Sequence, residues 1–281
     1  MKKKIIFCLA MVIWGTIGPI RRMIPLSSSI VALFRAGIGS LVLLFTMILI
    51  KHRINFKMIR NNLLYLIPSG ILLGFNWILL FEAYNYTTIA IGTLCYYMAP
   101  IFVILCSPFV FKEKLTLKKM ICTLVALLGM VFVSGILTST MMINKGILYG
   151  LASALFYASI MILNKKIKEV DALDKTLIQL VISTVVLIPY ILISEDLLAI
   201  PFTSNTILYL LIAGIIHTGL AYVMYFGTIA ELPGLSAALF SYLDPVVAIF
   251  ISFLFLHEPI DTFGIIGAFL ILGSAIYSEI K

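Results

Sequence analysis

The chain has 281 residues, of which 62% are hydrophobic and only 11% charged, with a mean hydropathy of +1.16. Soluble domains carry roughly a quarter of their residues as charges, so this composition excludes a soluble enzyme or receptor and points to an all-α integral membrane protein. The formal charge of +8 does not indicate a nucleic-acid partner, because the basic residues sit in short loops between apolar runs rather than on a domain face.

Apolar runs of about 20 residues follow one another almost without pause, and each can cross ~30 Å of hydrocarbon as a helix. Ten transmembrane helices are expected, at 4–21, 29–50, 62–81, 89–111, 118–138, 146–164, 176–193, 206–229, 234–256 and 262–279. The runs lack the apolar/polar alternation of an outer-membrane barrel. Lys2, Lys3 and Lys4 imitate a secretory leader, but no small-x-small cleavage site follows them. The run is therefore read as the retained first span.

In chain order, the first span carries Trp14 and Gly15. The second holds Arg35, about seven residues from its outer end. From there it can snorkel, pair with Glu82 or hold a solute carboxylate. On the third span Gly70, Gly74, Trp77, Phe81 and Tyr84 recur at steps of 4, 3, 4 and 3, one helix face, with Asn76 beside them and Glu82 at the outer end. Gly214, Thr218, Tyr222 and Tyr225 form the same kind of face on the eighth span, which also bears His217. The four cysteines Cys8, Cys95, Cys106 and Cys122 fall inside apolar runs, without metal-binding spacing, and read as small buried hydrophobes.

With the N-terminus inside, 16 of the 20 Lys and Arg residues fall on cytoplasmic segments; Arg21, Arg22 and Lys145 fall outside, and Arg35 lies within a span. This bias predicts a multi-pass protein of the plasma membrane with both termini cytoplasmic.

LCYYMAP at 94–100 returns as LFSYLDP at 239–245, an offset of 145. The offset aligns Tyr97, Pro100, Ile104, Ser107 and Glu113 with Tyr242, Pro245, Ile249, Ser252 and Glu258. It also sets Gly74, Trp77 and Phe81 on Gly219, Tyr222 and Phe226, and a slightly smaller offset sets VIWGTIGPIRR (12–22) over LFYASIMILNK (155–165) and Arg35 over Gln179. Residues 1–140 and 141–281 are thus expected to be two repeats of five helices, inverted relative to each other because five is odd. Glu113 and Glu258, just past span ends, are expected to cap the helices that follow them.

The first half ends in FKEKLTLKKMICTLVALLGMVFV (111–133) and the second in FLHEPIDTFGIIGAFLILGSAIY (255–277), each after a span with a central proline. This doubled pattern, with Trp14-Gly15, Arg35 and Gln179, resembles the paired EamA domains of the drug/metabolite transporter superfamily. The resemblance implies a ten-helix bundle around a central cavity lined by spans 1, 3, 4, 6, 8 and 9, with the fifth and tenth peripheral. It also implies a solute among amino acids, nucleotide sugars, choline-like cations, drugs and other small metabolites.

Placed on those spans, Trp14, Asn76, Trp77, Tyr97, Tyr157, Tyr222 and Tyr242 would line an aromatic pocket with hydroxyl and amide groups, suited to amphipathic or cationic molecules. Asp244, near the bilayer centre, costs ~2.5–3.5 kcal/mol as an isolated charge. It must pair structurally, with Arg35 or a freed backbone group, or bind a cation or proton. His217 is either a packed hydrogen-bonding group or a proton carrier. Pro100 and Pro245 are the hinge candidates.

No G-x-x-x-x-G-K-[ST], H-E-x-x-H or G-x-S-x-G is present, so neither ATP hydrolysis nor the common hydrolase chemistries are expected, and no cofactor or metal. The expectation is a secondary transporter of small metabolites, amino acids or related amphipathic compounds, with export as the direction by family analogy. It would work by alternating access through a midplane cavity, with proton coupling at Asp244 and His217. Its partners would be a small solute and the lipid bilayer, with a homodimer as an open alternative to a monomer. An uptake carrier for a quaternary amine such as choline is the alternative within the class. An intramembrane enzyme or lipid-handling protein is the alternative outside it.

Overall fold

The computed structural model describes residues 2–112, 116–133, 145–196, 202–229, 231–232, 237, 240–258 and 261–279. Glu113, the expected counterpart of Glu258, lies outside them. Every regular element among the described residues is helical. The chain runs through α1 (Lys2–Gly15), α2 (Ile17–Arg22), α3 (Ser28–Leu49), α4 (Phe56–Asn61), α5 (Leu63–Tyr86), α6 (Ile89–Tyr96) and α7 (Ala99–Phe111). It continues through α8 (Leu117–Val133), α9 (Lys145–Lys166), α10 (Ala172–Ser194), α11 (Ser204–Leu211), the π-helix π1 (Ile212–Leu220), α12 (Ala221–Ile229), α13 (Leu243–Phe255) and α14 (Thr262–Glu279).

Among the described residues, seven stretches are long and apolar enough to cross a membrane: Lys2–Arg22, Ser28–Leu49, Leu63–Tyr86, Ile89–Val110, Lys145–Lys166, Ala172–Ser194 and Ser204–Ile229. Met120–Phe132, Leu243–Phe255 and Thr262–Tyr277 are shorter apolar helices. The molecule is a multi-pass membrane protein. Its outer surface is correspondingly apolar: on α3, Leu41, Phe45 and Ile48 are each more than 60% exposed while Ala36, Leu43 and Met47 on the other side are buried. In water such a belt would drive aggregation; in a bilayer it meets acyl chains.

Helix starts follow local chemistry. Thr88 accepts the Ile91 N–H, Asp171 the Leu173 N–H and Thr203 the Thr206 N–H, each satisfying a donor that a first helical turn leaves free. The stretch expected as one span at 89–111 is broken at Tyr97 and Met98, between α6 and α7. The cause is Pro100, which has no N–H to donate and whose ring crowds the carbonyl a turn back. Tyr242 precedes α13 in the same way, and the two tyrosines share a backbone conformation, φ −73° and ψ 4° at Tyr97 against φ −74° and ψ −3° at Tyr242. The ends match too: Lys112 (φ 56°) and His257 (φ 52°), again 145 residues apart, are both left-handed where these helices stop.

The periodicity of the eighth span gave no hint of π1, in which the ladder widens by one residue per turn. His217 Nδ1 therefore faces the Ile212 carbonyl at 3.2 Å, and the Thr218 hydroxyl donates to the Ala213 carbonyl at 3.1 Å, each five residues back.

Tertiary packing runs mostly between the two halves of the chain. α5 packs on α9 and α1 on α12; α10 packs on α5 and α3 on π1; α7 packs on α9 and α13 on α1. α3 meets α10, α6 meets α13 and α8 meets α14. Exchanging the first five apolar stretches for the last five converts each of these pairings into another of them or into itself. Close approach needs small residues at the crossings: a methyl group on Gly39 of α3 would clash with the side chain of Thr218 on π1, whereas one on Gly227 of α12 would meet nothing within 4 Å. Gly39→Ala should therefore destabilise the protein by about 1–3 kcal/mol through overpacking. Gly227→Ala should be neutral, or stabilising by up to ~1 kcal/mol through helix propensity. Thermal unfolding of the purified variants in detergent measures both.

Candidate functional site

The two halves meet at their matched phrases. Tyr97, at the break between α6 and α7, donates its hydroxyl to Asp244 Oδ2 on α13 at 2.9 Å. The rings of Tyr97 and Tyr242 lie 6.2 Å apart, and Tyr96 stacks on Tyr157 of α9 at 5.0 Å. Trp14 stands edge-on to Tyr222 at 5.3 Å and donates its indole N–H to the His217 carbonyl at 3.0 Å. Its neighbour Gly15 lets α1 close on this group: a methyl there would sit 2.6 Å from the Asp244 carbonyl oxygen, a backbone atom with no freedom to withdraw. Six of the expected pocket residues thus fall in two groups: Tyr97, Tyr157, Tyr242 and Asp244 are linked through Tyr96 by ring contacts and one hydrogen bond, and Trp14 and Tyr222 pack on each other, with Gly15 bringing α1 against the Asp244 carbonyl.

Arg35 does not sit at the outer rim. It is 5% exposed, its guanidinium carbon lies 4.1 Å from the centre of the Trp77 ring and 5.7 Å from that of Phe81, and its Nε donates to Thr218 Oγ1 at 2.8 Å. Among the described residues no ion pair joins it to Glu82 or to Asp244. Glu82 instead accepts a long bond of 3.4 Å from Asn85 on its own helix. It lines a lateral cleft of about 570 Å³ with Phe75, Tyr190 and Glu195. Gln179, at the position matched to Arg35, donates to Ser69 on α5 and to Asn164, both at 2.7 Å. Each member of this matched pair therefore reaches across to a hydroxyl on the other half.

Asn76 is also spent within the fold. Fully buried, it donates to the Ser153 carbonyl at 2.7 Å and its hydroxyl at 3.0 Å, and its own carbonyl accepts from Ser153, so it clamps α5 to α9. His217 uses both ring nitrogens, one on Ile212 and Nε2 on Thr16 at 3.0 Å, and makes no bond to Asp244 among the described residues. His52, Asp171 and Asp174 bring ligand-type atoms within 4.8 Å of one another. His52 Nε2, however, is bound to Asp174 at 2.8 Å and the other Asp174 oxygen accepts the Asn55 N–H, so this group ties the loop after α3 to α10.

Two features lie beyond what the sequence reading singled out. Tyr96, the neighbour of Tyr97 in the motif, is the ring that joins Tyr157 to the group; the tandem tyrosine was its signal. The other is a polar latch. Arg22 at the end of α2 forms an ion pair of 2.6 Å with Glu258, while its Nη2 donates to the carbonyls of Tyr84 and Thr87 at 3.1 and 2.9 Å. Glu258, 7% exposed, also accepts from Ser252 and from the Ile89 N–H at 2.8 Å. It caps a helix, but α6 of the other half rather than the helix that follows it. The partner of a cap cannot be read from a repeat that shows only which residues correspond.

Among the described residues the chain is all-helical and multi-pass, and its halves exchange contacts around aromatic rings and the Asp244 carboxylate. The EamA-like transporter family matches the chain over residues 1–135 and again over 144–278, and the chain belongs to that family. It is similar to the uncharacterized transporter YxxF of Bacillus subtilis (strain 168), 28% identical over 268 residues, which cover 94% of this chain and 85% of that one. An uncharacterized transporter of Clostridium kluyveri is 28% identical over 236 residues, covering 80% and 75%. A solved crystal structure superposes with a TM-score of 0.68 over 99% of this chain and 97% of that one at 18% identity, which shows the shared fold alone.

Asn76→Ala should cost about 1–3 kcal/mol, because it removes both side-chain bonds to Ser153 from the buried α5–α9 seam and leaves a void there, although the Ser153 hydroxyl keeps its bond to the main-chain carbonyl of residue 76. Tyr97→Phe, which removes a single bond to a carboxylate that is not sealed from its surroundings, should cost less. Unfolding midpoints of the two variants in detergent give the order.

Proposed function

We propose that the chain is a secondary transporter of small metabolites, amino acids or related amphipathic compounds, working by alternating access in the export direction. Residues 1–140 and 141–281 are taken as two five-helix repeats of opposite orientation, with α8, α13 and α14 counted as spans beside the seven long stretches. The exchange of packing partners between halves supports this, as do the paired backbone conformations at Tyr97 and Tyr242 and at Lys112 and His257. Five spans per repeat leave both termini on one side, and the Lys/Arg bias makes that side the cytoplasm of a cell bounded by this membrane.

The observation that carries the mechanism is the bond from Tyr97 to Asp244. It joins two broken helices, one from each half, at the only carboxylate expected in mid-membrane. A carboxylate in hydrocarbon needs a partner. With the halves together Tyr97 serves; a proton or a solute cation takes that place when they part. The breaks before Pro100 and Pro245 supply the hinges, and the Arg22–Glu258 latch holds the outer ends of the halves together. His217, braced between Thr16 and π1, is the second proton-handling candidate. Uptake of a quaternary amine fits less well, because the buried cation Arg35 stands on Trp77 in the same aromatic region.

In proteoliposomes, Asp244→Asn should slow counterflow by about tenfold or more, the scale of one lost charge-assisted bond, and should flatten the dependence of transport on an imposed pH gradient. Unchanged rate and unchanged pH response would remove Asp244 from the coupling step.

A further inference from the structure

Arg35 is a buried cation without a counter-ion. Its Nε is spent on Thr218, and among the described residues its two terminal nitrogens have no hydrogen-bond or ion-pair partner. Trp77 holds the guanidinium by its flat face. Stacking of this kind leaves the in-plane N–H edge open, and that edge is where a carboxylate docks through parallel bonds.

Asp244 is in a complementary condition. Its Oδ2 accepts from Tyr97, and its Oδ1 has no partner among the described residues. Its charge acts on Arg35 without contact, and Tyr84 and Tyr96 lie within electrostatic reach of both. Neither group is sealed off. The wholly enclosed side-chain atoms lacking a hydrogen bond, among the described residues, are Arg21 Nε, Asn76 Oδ1 and Glu258 Oε1. The free atoms of Arg35 and Asp244 therefore border open space. Opposite charges that influence each other without forming an ion pair leave each charge short of a partner, an expensive arrangement inside a membrane unless something else completes it.

We infer that Arg35 on Trp77 is the anion subsite of the transport pathway, taking the carboxylate of a small zwitterion whose ammonium group meets Asp244. The solute class is then the free α-amino acid or a close analogue, rather than an amine, a sugar or a nucleoside. This deepens the transporter reading and rests on it. Arg35, on a different helix from the matched phrases, would set specificity. Asp244 would combine recognition with coupling.

The test follows thermal unfolding of the full-length protein in detergent with each of the standard L-amino acids. Every amino acid that raises the midpoint is compared with its amino alcohol, which lacks the carboxylate, and its deaminated acid, which lacks the ammonium. Loss of the carboxylate should weaken apparent affinity about tenfold to a hundredfold, the range for hydrogen bonds to a charged group. Arg35→Gln should bind acid and alcohol alike, Arg35→Lys should keep part of the preference, and Asp244→Asn should lose only the preference for the amine. An amino alcohol that binds as well as its amino acid, or an Arg35→Gln protein that still prefers the acid, overturns the inference; should Arg35→Gln not fold, the analogue series on the unaltered protein decides alone. Counterflow in proteoliposomes separates the two levels. Exchange of amines or sugars with no amino-acid binding refutes the subsite and leaves the transporter standing, whereas no exchange of any solute class refutes the transporter reading itself.

Discussion

A bilayer interior offers no hydrogen bonds, so each polar atom that enters it must find its partner within the protein. That constraint organises this molecule. Many hydroxyls inside its apolar stretches bond back to a carbonyl of their own helix, as at Ser40, Thr46, Ser107 and Thr184, but other polar side chains reach across to the opposite half: Asn76 to Ser153, Gln179 to Ser69, Arg35 to Thr218, Trp14 to the His217 carbonyl and Tyr97 to Asp244. Apolar surface cannot order helices in lipid, since acyl chains are as apolar as leucine. These cross-half bonds and the close approaches at small residues do so instead.

The same constraint divides the bonds by use. Asn76 and Ser153 are completely buried and joined by three bonds, two from the Asn76 amide N–H and one from the Ser153 hydroxyl to the Asn76 main-chain carbonyl, which pins α5 to α9. Tyr97 and Asp244 share a single bond at two helix breaks, and Arg22 and Glu258 stand nearer the protein surface at the helix ends. Motion is cheapest where one bond is exchanged for another and where the helical ladder is already interrupted. Both conditions hold at Tyr97 and Tyr242, and neither holds at the α5–α9 seam.

Much of this was legible in the chain. The offset of 145 residues pairs Tyr97 with Tyr242 and Pro100 with Pro245, and the structure gives the two tyrosines the same backbone conformation. Asp244 stood out as the carboxylate without a counterpart, and it is in contact with the other copy of its own motif. Side-chain partners were less legible. The sequence groups Asn76 with pocket residues, yet its amide N–H groups are consumed in a helix seam; it offers Arg35 the interface, Glu82 or a solute carboxylate, and gives no sign that the guanidinium lies on Trp77. Helices that are apolar on all sides carry little periodic signal of which face turns inward, so the rotation of each about its axis is left open. π1 compounds this, because one extra residue per turn swings His217 and Thr218 to directions that a regular helix would not give them.

By itself the sequence determined the membrane class and the family, which matches the chain twice, because composition, length of apolar runs and an internal offset are properties of one dimension. Only the tertiary structure decided which polar atoms meet: that Glu258 caps α6, that Arg22 is its ion partner, and that a guanidinium rests on Trp77 with its edge unused. Those facts depend on helix rotation and on which helices touch across the two halves, and a bond between residues some 150 positions apart leaves no trace in the local pattern at either end.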